Sequence, residues 1–262
     1  MNKFQIIVPT RNSGETLPKL VNSFQKQTFS NWEVIFIDAS TKNKDINWLK
    51  NLCLKDERFI YKVQNNKGKK IFGAMNQGLE ITHNNSWILF WGSDDWVIRE
   101  NTFEELNNKI NKLKDLNLDL IICKGKYFKN NNCFYKNTYF TNNIYNRTIT
   151  PHKYRSLLFR GFTPPHQSTI MNSKLFNSEY RYDETFLIAG DLDFFCKLIH
   201  KKTISIYQLN TFIVSISCGG ISSKNHIKRL KEVKKSYKNV FGYSYFIPFL
   251  CRYFFKFFKF VW

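Results

Sequence analysis

Short, predominantly apolar runs alternate with amphipathic stretches through the first half of the chain. Residues 4–8, 33–38, 59–63, 87–91 and 118–123 have the length and composition of buried strands. Between them, 16–27, 46–54, 71–81 and 101–113 have helical character, with Leu17, Leu20, Val21 and Phe24 recurring at the spacing of one helix face. Such alternation predicts βα units and a mostly parallel sheet covered by helices on both faces. In open sheets of this kind ligands collect beyond the carboxyl ends of the strands. The polar residues directly after each strand therefore outrank others as site candidates: Thr10, Arg11 and Asn12, then Asp38, then 65–70, then Ser93, Asp94 and Asp95.

From Lys124 the texture changes. The run KYFKNNNCFYKNTYF predicts a hairpin turning near 130–132. A short helical piece at 152–159 leads into GFTPPHQSTIM, where paired prolines force an irregular loop. A helix is expected to begin near Gly190 with Leu192, Phe195, Cys196 and Ile199 on its buried side, followed by strands at 204–209 and 212–217. A basic helix over 225–239 and an aromatic tail close the chain. With no internal repeat and no flexible linker, the economical division is one domain over 1–223, in halves 1–123 and 124–223, plus an appendage over 224–262.

Composition narrows the partners. Of 262 residues, 43% are apolar, enough for a real core. Lys and Arg outnumber Asp and Glu by 40 to 20, so polyanions are the natural partners: nucleic acid, anionic lipid or a phosphorylated small molecule. A nucleic-acid reader would interleave basic and aromatic residues on one exposed groove. Here the charge is diffuse or gathers near the tail, and acidic motifs occupy the expected cleft, so no nucleic-acid partner is expected. Six cysteines without a CxxC pair suit neither a zinc site nor a disulfide-dense fold, and point to a reducing compartment. The apolar run in MNKFQIIVPTR is short for a secretory signal, and no segment offers the roughly 20 uncharged residues of a spanning helix. The expected location is cytoplasmic, with any membrane contact peripheral.

Two acidic motifs carry the candidate chemistry. In FWGSDDW, Asp94 and Asp95 end an apolar strand, where like charges resist joint burial unless a cation intervenes. A hard divalent ion resolves that conflict, Mg²⁺ favouring one or two carboxylates plus substrate phosphates. The plainer alternative is a strand end that caps the following helix. In AGDLDFF, Asp191 and Asp193 point different ways on a helix, so one of them faces a cleft. Asp191, at the helix start, reads either as a general base or as a cap.

The run FQIIVPTRNSGETLPKLVNSFQKQTFSNWEVIFIDAS resembles the opening of family 2 inverting glycosyltransferases, whose fold is the Rossmann-like GT-A sheet. Similar order continues through KGKKIFGAMNQGLE, WILFWGSDDW, HQSTIMNSKLF and YDETFLIAGDLDFFCKL, over roughly residues 4–222, and is nearest to bacterial enzymes of surface-polysaccharide or glycoconjugate assembly. The resemblance implies that Thr10, Asn12 and Glu15 contact the nucleotide, with Arg11 a further candidate on the same turn, and that Asp38 reads the base. It places Gly68, Ala74, Asn76 and Gly78 on the donor loop and helix. It implies that Ser93, Asp94 and Asp95 form the metal motif with Mg²⁺ or Mn²⁺, Asp94 foremost, and that Asp191 is the catalytic base. His166 and Gln167 would line the acceptor or diphosphate side, Cys218, Gly219, Gly220 and Ser222 a closing loop, and His226 would complete the metal set, as a histidine does in some GT-A enzymes. The implied reaction takes a sugar from a UDP-sugar to a hydroxyl of a lipid-linked saccharide. Relatives often carry acids where Gly92 and Ala39 stand. A sugar nucleotidyltransferase is the alternative, but its glycine-rich basic loop is missing from PTRNSGE.

The tail YSYFIPFLCRYFFKFFKFVW is aromatic or aliphatic apart from Arg252, Lys256 and Lys259, whose spacing puts all three on one helical stripe. Too charged to span a bilayer and too greasy for water, it is expected to lie on an anionic membrane surface at the inner face of the cell membrane. Packing against the catalytic domain is the competing account.

Overall fold

The computed structural model describes residues 2–65, 70–129, 133–141, 145–177, 179–219 and 225–261, with side chains up to residue 255. Strand β1 (Phe4–Thr10) lies at the centre of the first half, flanked by β2 (Trp32–Asp38) and β4 (Trp87–Phe90), with β3 (Phe59–Val63) outside β2. These four strands are mutually parallel. Their connections are helices α1 (Leu17–Gln25), α2 (Asn43–Lys55) and α3 (Lys70–Leu79). Helix α1 starts with proline in its first turn, where the missing N–H costs nothing. It buries Leu17, Leu20, Val21 and Phe24, the face read from the sequence. Helix α3 lies close on β1 because Gly78 has no side chain: a Cβ there would sit 2.5 Å from Ile7 Cγ2.

Beyond β4 the sheet becomes mixed. After β5 (Trp96–Val97) and α4 (Thr102–Asn111) come the long β6 (Leu120–Lys129), its antiparallel partner β7 (Cys133–Asn137), β8 (Arg147–Ile149) and α5 (Pro151–Phe159). Strand β9 (Thr169–Asn172) runs antiparallel between β4 and β6, and β10 (Ile206–Ser217) is parallel to β6. The resulting order is β3-β2-β1-β4-β9-β6-β10-β5, with β7 on β6 and β8 on β10. Helix α6 (Gly190–Lys197), α7 (His226–Phe241) and α8 (Phe246–Val261) cover one face. The expected α/β sheet flanked by helices is therefore present. The hairpin turn at 130–132 lies outside the described residues.

Two details depart from the sequence reading. The expected strands at 204–209 and 212–217 are one strand, irregular in register between Gln208 and Val214. Its polar centre is accommodated because Asn210 N–H donates to Asn146 Oδ1 at 3.2 Å and Lys109 Nζ donates to Thr211 Oγ1 at 2.8 Å. Arg252 also leaves the expected cationic stripe of α8. Its guanidinium turns inward and donates to Gly161 O at 3.2 Å and Thr163 Oγ1 at 2.5 Å. Gly161 makes that approach possible, since a Cβ would meet Arg252 N at 2.5 Å. Helices α7 and α8 pack on one of the two large core clusters, through Val233 and Tyr237 of α7 and Phe249 and Tyr253 of α8.

Candidate active site

The carboxyl ends of β1, β2 and β4 meet at one end of the sheet. Thr10 and Asp38 are the last paired residues of their strands, and Thr10 Oγ1 donates to buried Asp38 Oδ1 at 2.8 Å. The same oxygen accepts from Ser40 Oγ at 2.6 Å and Ser40 N–H at 3.2 Å, which fixes the carboxylate against the next loop. Asn12, at φ 51°, accepts from Thr41 N–H and Lys42 N–H through its Oδ1 at 3.0 and 3.2 Å, clipping the β1 turn onto the entry of α2. Ser93 Oγ donates to Ser13 Oγ at 3.0 Å, joining the β1 and β4 turns. Arg11 and Glu15 stand exposed beside them.

The adjacent aspartates do different work. Asp95 is 2% exposed, and its two oxygens accept Gly92 N–H at 2.7 Å and Ser217 N–H at 3.3 Å. Burial, and then the neighbouring Asp94 charge, push its carboxyl up to about 8. Asp94 is half-buried, and no hydrogen bond holds its carboxylate among the described residues. Gly92 gives both carboxylates room, since a Cβ there would lie 2.7 Å from Asp94 Oδ1 and 3.3 Å from Asp95 Oδ2.

A second acidic pole stands at the start of α6. Asp191 is half-buried, and its Oδ1 accepts the N–H of Leu192 at 2.8 Å. Asp193 points the other way, buried against Lys197 Nζ at 2.8 Å, so only one of the two faces outward, as helix geometry requires. Tyr127 on β6 responds to both: burial first, then the charges of Asp95 and Asp191, raise its phenol to about 12.

The segment leading into α6 is held from both sides. Asn76 on α3 donates to Tyr182 O and Glu184 Oε1, both at 2.9 Å, and accepts Tyr182 N–H at 3.1 Å. Glu232 on α7 accepts the N–H groups of Leu187, Ile188 and Ala189 at 3.0, 2.8 and 2.9 Å. Gly190 then seats on the Phe72 ring, where a Cβ would come to 2.6 Å. Sequence reasoning missed Glu232. The signal was available, because it is the only acid in the basic helix, and a lone acid among lysines marks an inward position.

The Glycosyl transferase family 2 model matches residues 5–202. The chain belongs to that family. It is 24% identical over 236 residues to the PGL/p-HBAD biosynthesis glycosyltransferase of Mycobacterium tuberculosis, covering 87% of this chain and 83% of the relative. It is 30% identical over 98 residues to the GalNAc(5)-diNAcBac-PP-undecaprenol beta-1,3-glucosyltransferase of Campylobacter jejuni, covering 37% and 31% of the two chains. The fold matches S. aureus TarS 1–349 in complex with UDP-GlcNAc at a TM-score of 0.65 and 19% identity, over 91% of this chain and 67% of that one. The chain spans 43% of the longer TarS chain.

Within this family 2 chain the residues singled out from the sequence fall into two groups. Thr10, Arg11, Asn12, Glu15, Asp38, Ser93, Asp94 and Asp95 share the strand ends. Others stand apart. Ala74 on α3 is buried against Ile35 and Ile37, and Asn76 is committed to the Tyr182 backbone and the Glu184 side chain. His166 stacks on Phe90 and pairs its Nε2 with Tyr182 Oη at 2.8 Å, burial lowering its pKa. Gln167 offers its carbonyl to Trp91 Nε1 at 2.8 Å. His226 is exposed at the start of α7, with Arg229 Nη2 3.2 Å from its Nδ1. Among the described residues, no group of three or more His, Cys, Asp or Glu side chains is arranged to hold a metal ion. Gly68, Gly220 and Ser222 lie outside the described residues.

Proposed function

We propose that this glycosyltransferase moves a sugar, with inversion, from a nucleoside-diphosphate sugar to a hydroxyl of a lipid-linked saccharide. The observation that carries the reading is the half-buried Asp94, whose carboxylate no hydrogen bond holds among the described residues, beside the carboxyl ends of β1, β2 and β4, together with the half-buried Asp191 at the start of α6; Asp95 and Asp191 are both near enough to Tyr127 for their charges to raise its phenol. Support for the donor comes from the UDP-GlcNAc complex of TarS, and for the acceptor from the undecaprenol-linked substrate named for the Campylobacter relative. A UDP-sugar is the first donor to test.

In this reading Thr10, Arg11, Asn12, Glu15, Asp38 and Ser93 border the nucleotide. Ala74 and Asn76 act indirectly, by seating α3 and the 182–184 segment. Asp94 would hold Mg²⁺ or Mn²⁺ together with the donor diphosphate, while Asp95, tied to two amides, orients the turn. One carboxylate plus phosphates suits an ion that keeps several oxygens of its own. A cation held there would supply positive charge beside the leaving diphosphate. Asp191 takes the proton of the attacking acceptor hydroxyl as the glycosidic bond forms and the anomeric carbon–phosphate oxygen bond breaks. His226, exposed at the start of α7 beside Arg229, is given no part in holding the ion in this reading.

The exposed Phe246, Ile247, Leu250 and Phe254 of α8, with lysines 228, 231, 234 and 238 of α7 also exposed, suit an anionic membrane surface. Among the described residues no helix is long and apolar enough to cross a membrane. The deciding experiment titrates UDP and UDP-GlcNAc with and without Mn²⁺. Metal-dependent binding that Asp94→Ala weakens at least tenfold is expected; identical affinities with and without metal would refute the assignment.

A further inference from the structure

Directly after Asp95 the chain reaches the sheet edge. A cleft of about 430 Å³ opens there between β5, β6, β10 and the outer side of α1, lined by Lys19, Trp96, Arg99, Lys126, Phe128 and Phe212. The rings form a connected platform: Trp96 to Phe128 at 5.2 Å, and Phe128 edge-on to Phe134 at 6.2 Å. Cations sit over it. Lys19 Nζ is 3.0 Å from the Trp96 centroid, and Lys126 Nζ is 5.0 Å from Phe212 and 5.9 Å from Phe134. The guanidinium of Arg99 is already met by Glu105 at 2.9 Å, whereas the contacts described for the Lys126 ammonium are rings.

This lining is chemically specific. The rings are inclined to one another, by 45° between Trp96 and Phe128 and 77° between Phe128 and Phe134, so each offers a separate face for the C–H face of a pyranose, and compact ammonium groups suit phosphate oxygens. The volume falls in the usual range of small-ligand sites, roughly 300–1,000 Å³. That is room for a short saccharide, while a nucleic-acid groove tracks about four or more nucleotides. The location also matters: Ser215 on the cleft wall is two strand residues, about 7 Å, from Ser217, whose amide holds Asp95. An occupant would lie beside the donor pole without filling it.

We propose that this cleft binds a phosphate-bearing saccharide portion of the acceptor, outside the reacting centre; this rests on the glycosyltransferase reading. The test uses the full chain with maltose 1-phosphate, maltose, inorganic phosphate, UDP and an octathymidylate, followed by saturation-transfer NMR and tryptophan fluorescence. Maltose 1-phosphate is expected to bind, with affinity lowered at least fivefold by Lys126→Gln and by Trp96→Leu, and unchanged by Asp94→Ala or saturating UDP. Retained UDP binding by the two cleft variants shows that they are folded. Four results would overturn the proposal: no binding, equal binding of maltose or phosphate alone, displacement by UDP, or tighter octathymidylate binding lost in the same variants. Failure of the glycosyltransferase reading shows separately, as absent UDP and UDP-GlcNAc binding while the cleft still takes its ligand.

Discussion

Replacing Glu232 tests how Asp191 is positioned. One carboxylate serves three consecutive amides, Leu187, Ile188 and Ala189, immediately before the helix that carries Asp191. It acts as a cap supplied by another helix, for a helix whose own cap position, Ala189, has no side-chain acceptor. In Glu232→Ala the buried Ala189 amide loses its acceptor outright, about 2 kcal/mol, and the half-buried amides of Leu187 and Ile188 lose about 1 kcal/mol each because water can reach them. The sum is about 4 kcal/mol. Glu232→Gln keeps one oxygen where Oε2 serves Ile188 and Ala189, and places an NH₂ against Leu187 N–H, at about 1–2 kcal/mol. Urea unfolding measures both, and hydrogen exchange at 187–189 locates the loss. Turnover should fall with UDP affinity nearly intact, because the donor pole lies on other elements. A Glu232→Ala protein within 1 kcal/mol of the parent, with unchanged exchange at those amides, would show that the cap does not hold the segment.

The other expectations are shorter. Asp191→Asn should abolish transfer and leave donor binding near the parent value; an active variant contradicts the base assignment. Asp95 is raised from its ordinary 3.8 to about 8, so the folded state holds a proton that the unfolded chain releases; its stabilising contribution is full below about pH 4 and is lost as pH rises to about 8. In chelator, the stability of Asp95→Asn relative to the parent should therefore improve by about 3 kcal/mol between about pH 5.5 and 8, and a constant difference refutes the burial argument. Leu250→Glu with Phe254→Glu should reduce co-sedimentation with anionic vesicles while UDP still binds. Unchanged sedimentation counts against the membrane face. Truncation at Pro248 is a poorer probe, because it also removes the Arg252 contacts to Gly161 and Thr163.

The first half of the fold was legible because each strand there is a nearly continuous apolar run and each helix shows one apolar stripe. Phe4, Val34, Leu89 and Ile121 all fall in the buried core, as their runs imply. The second half was less so. Strand β9 has four residues and β5 two, too few for any period to register, yet β9 is what turns the parallel sheet into a mixed one. Motif residues were legible as chemical types but not as orientations. His166 and Asn76 look equally fit for substrate contact in the sequence, and only the packing of the 181–189 segment shows where their hydrogen bonds go. Arg252 misled for the same reason: helical spacing gives a stripe, and the close approach allowed by Gly161, far away in sequence, decides which way the stripe faces.

The Asp94–Asp95 pair shows what a tight turn can do with two identical neighbours. Consecutive side chains leaving a strand end diverge, so one carboxylate enters the interior, where amide donors compensate part of its desolvation, and the other stays half-buried. An acid in place of Gly92 would put its Cβ within 2.7 Å of Asp94 Oδ1 and add a third carboxyl group to a space already short of donors. Glycine removes both the clash and the repulsion, at the expense of a protein ligand. A site built this way should bind a cation weakly alone and strongly with diphosphate present, because the missing oxygens come from the substrate; tight Mn²⁺ binding in the absence of nucleotide would contradict that arrangement.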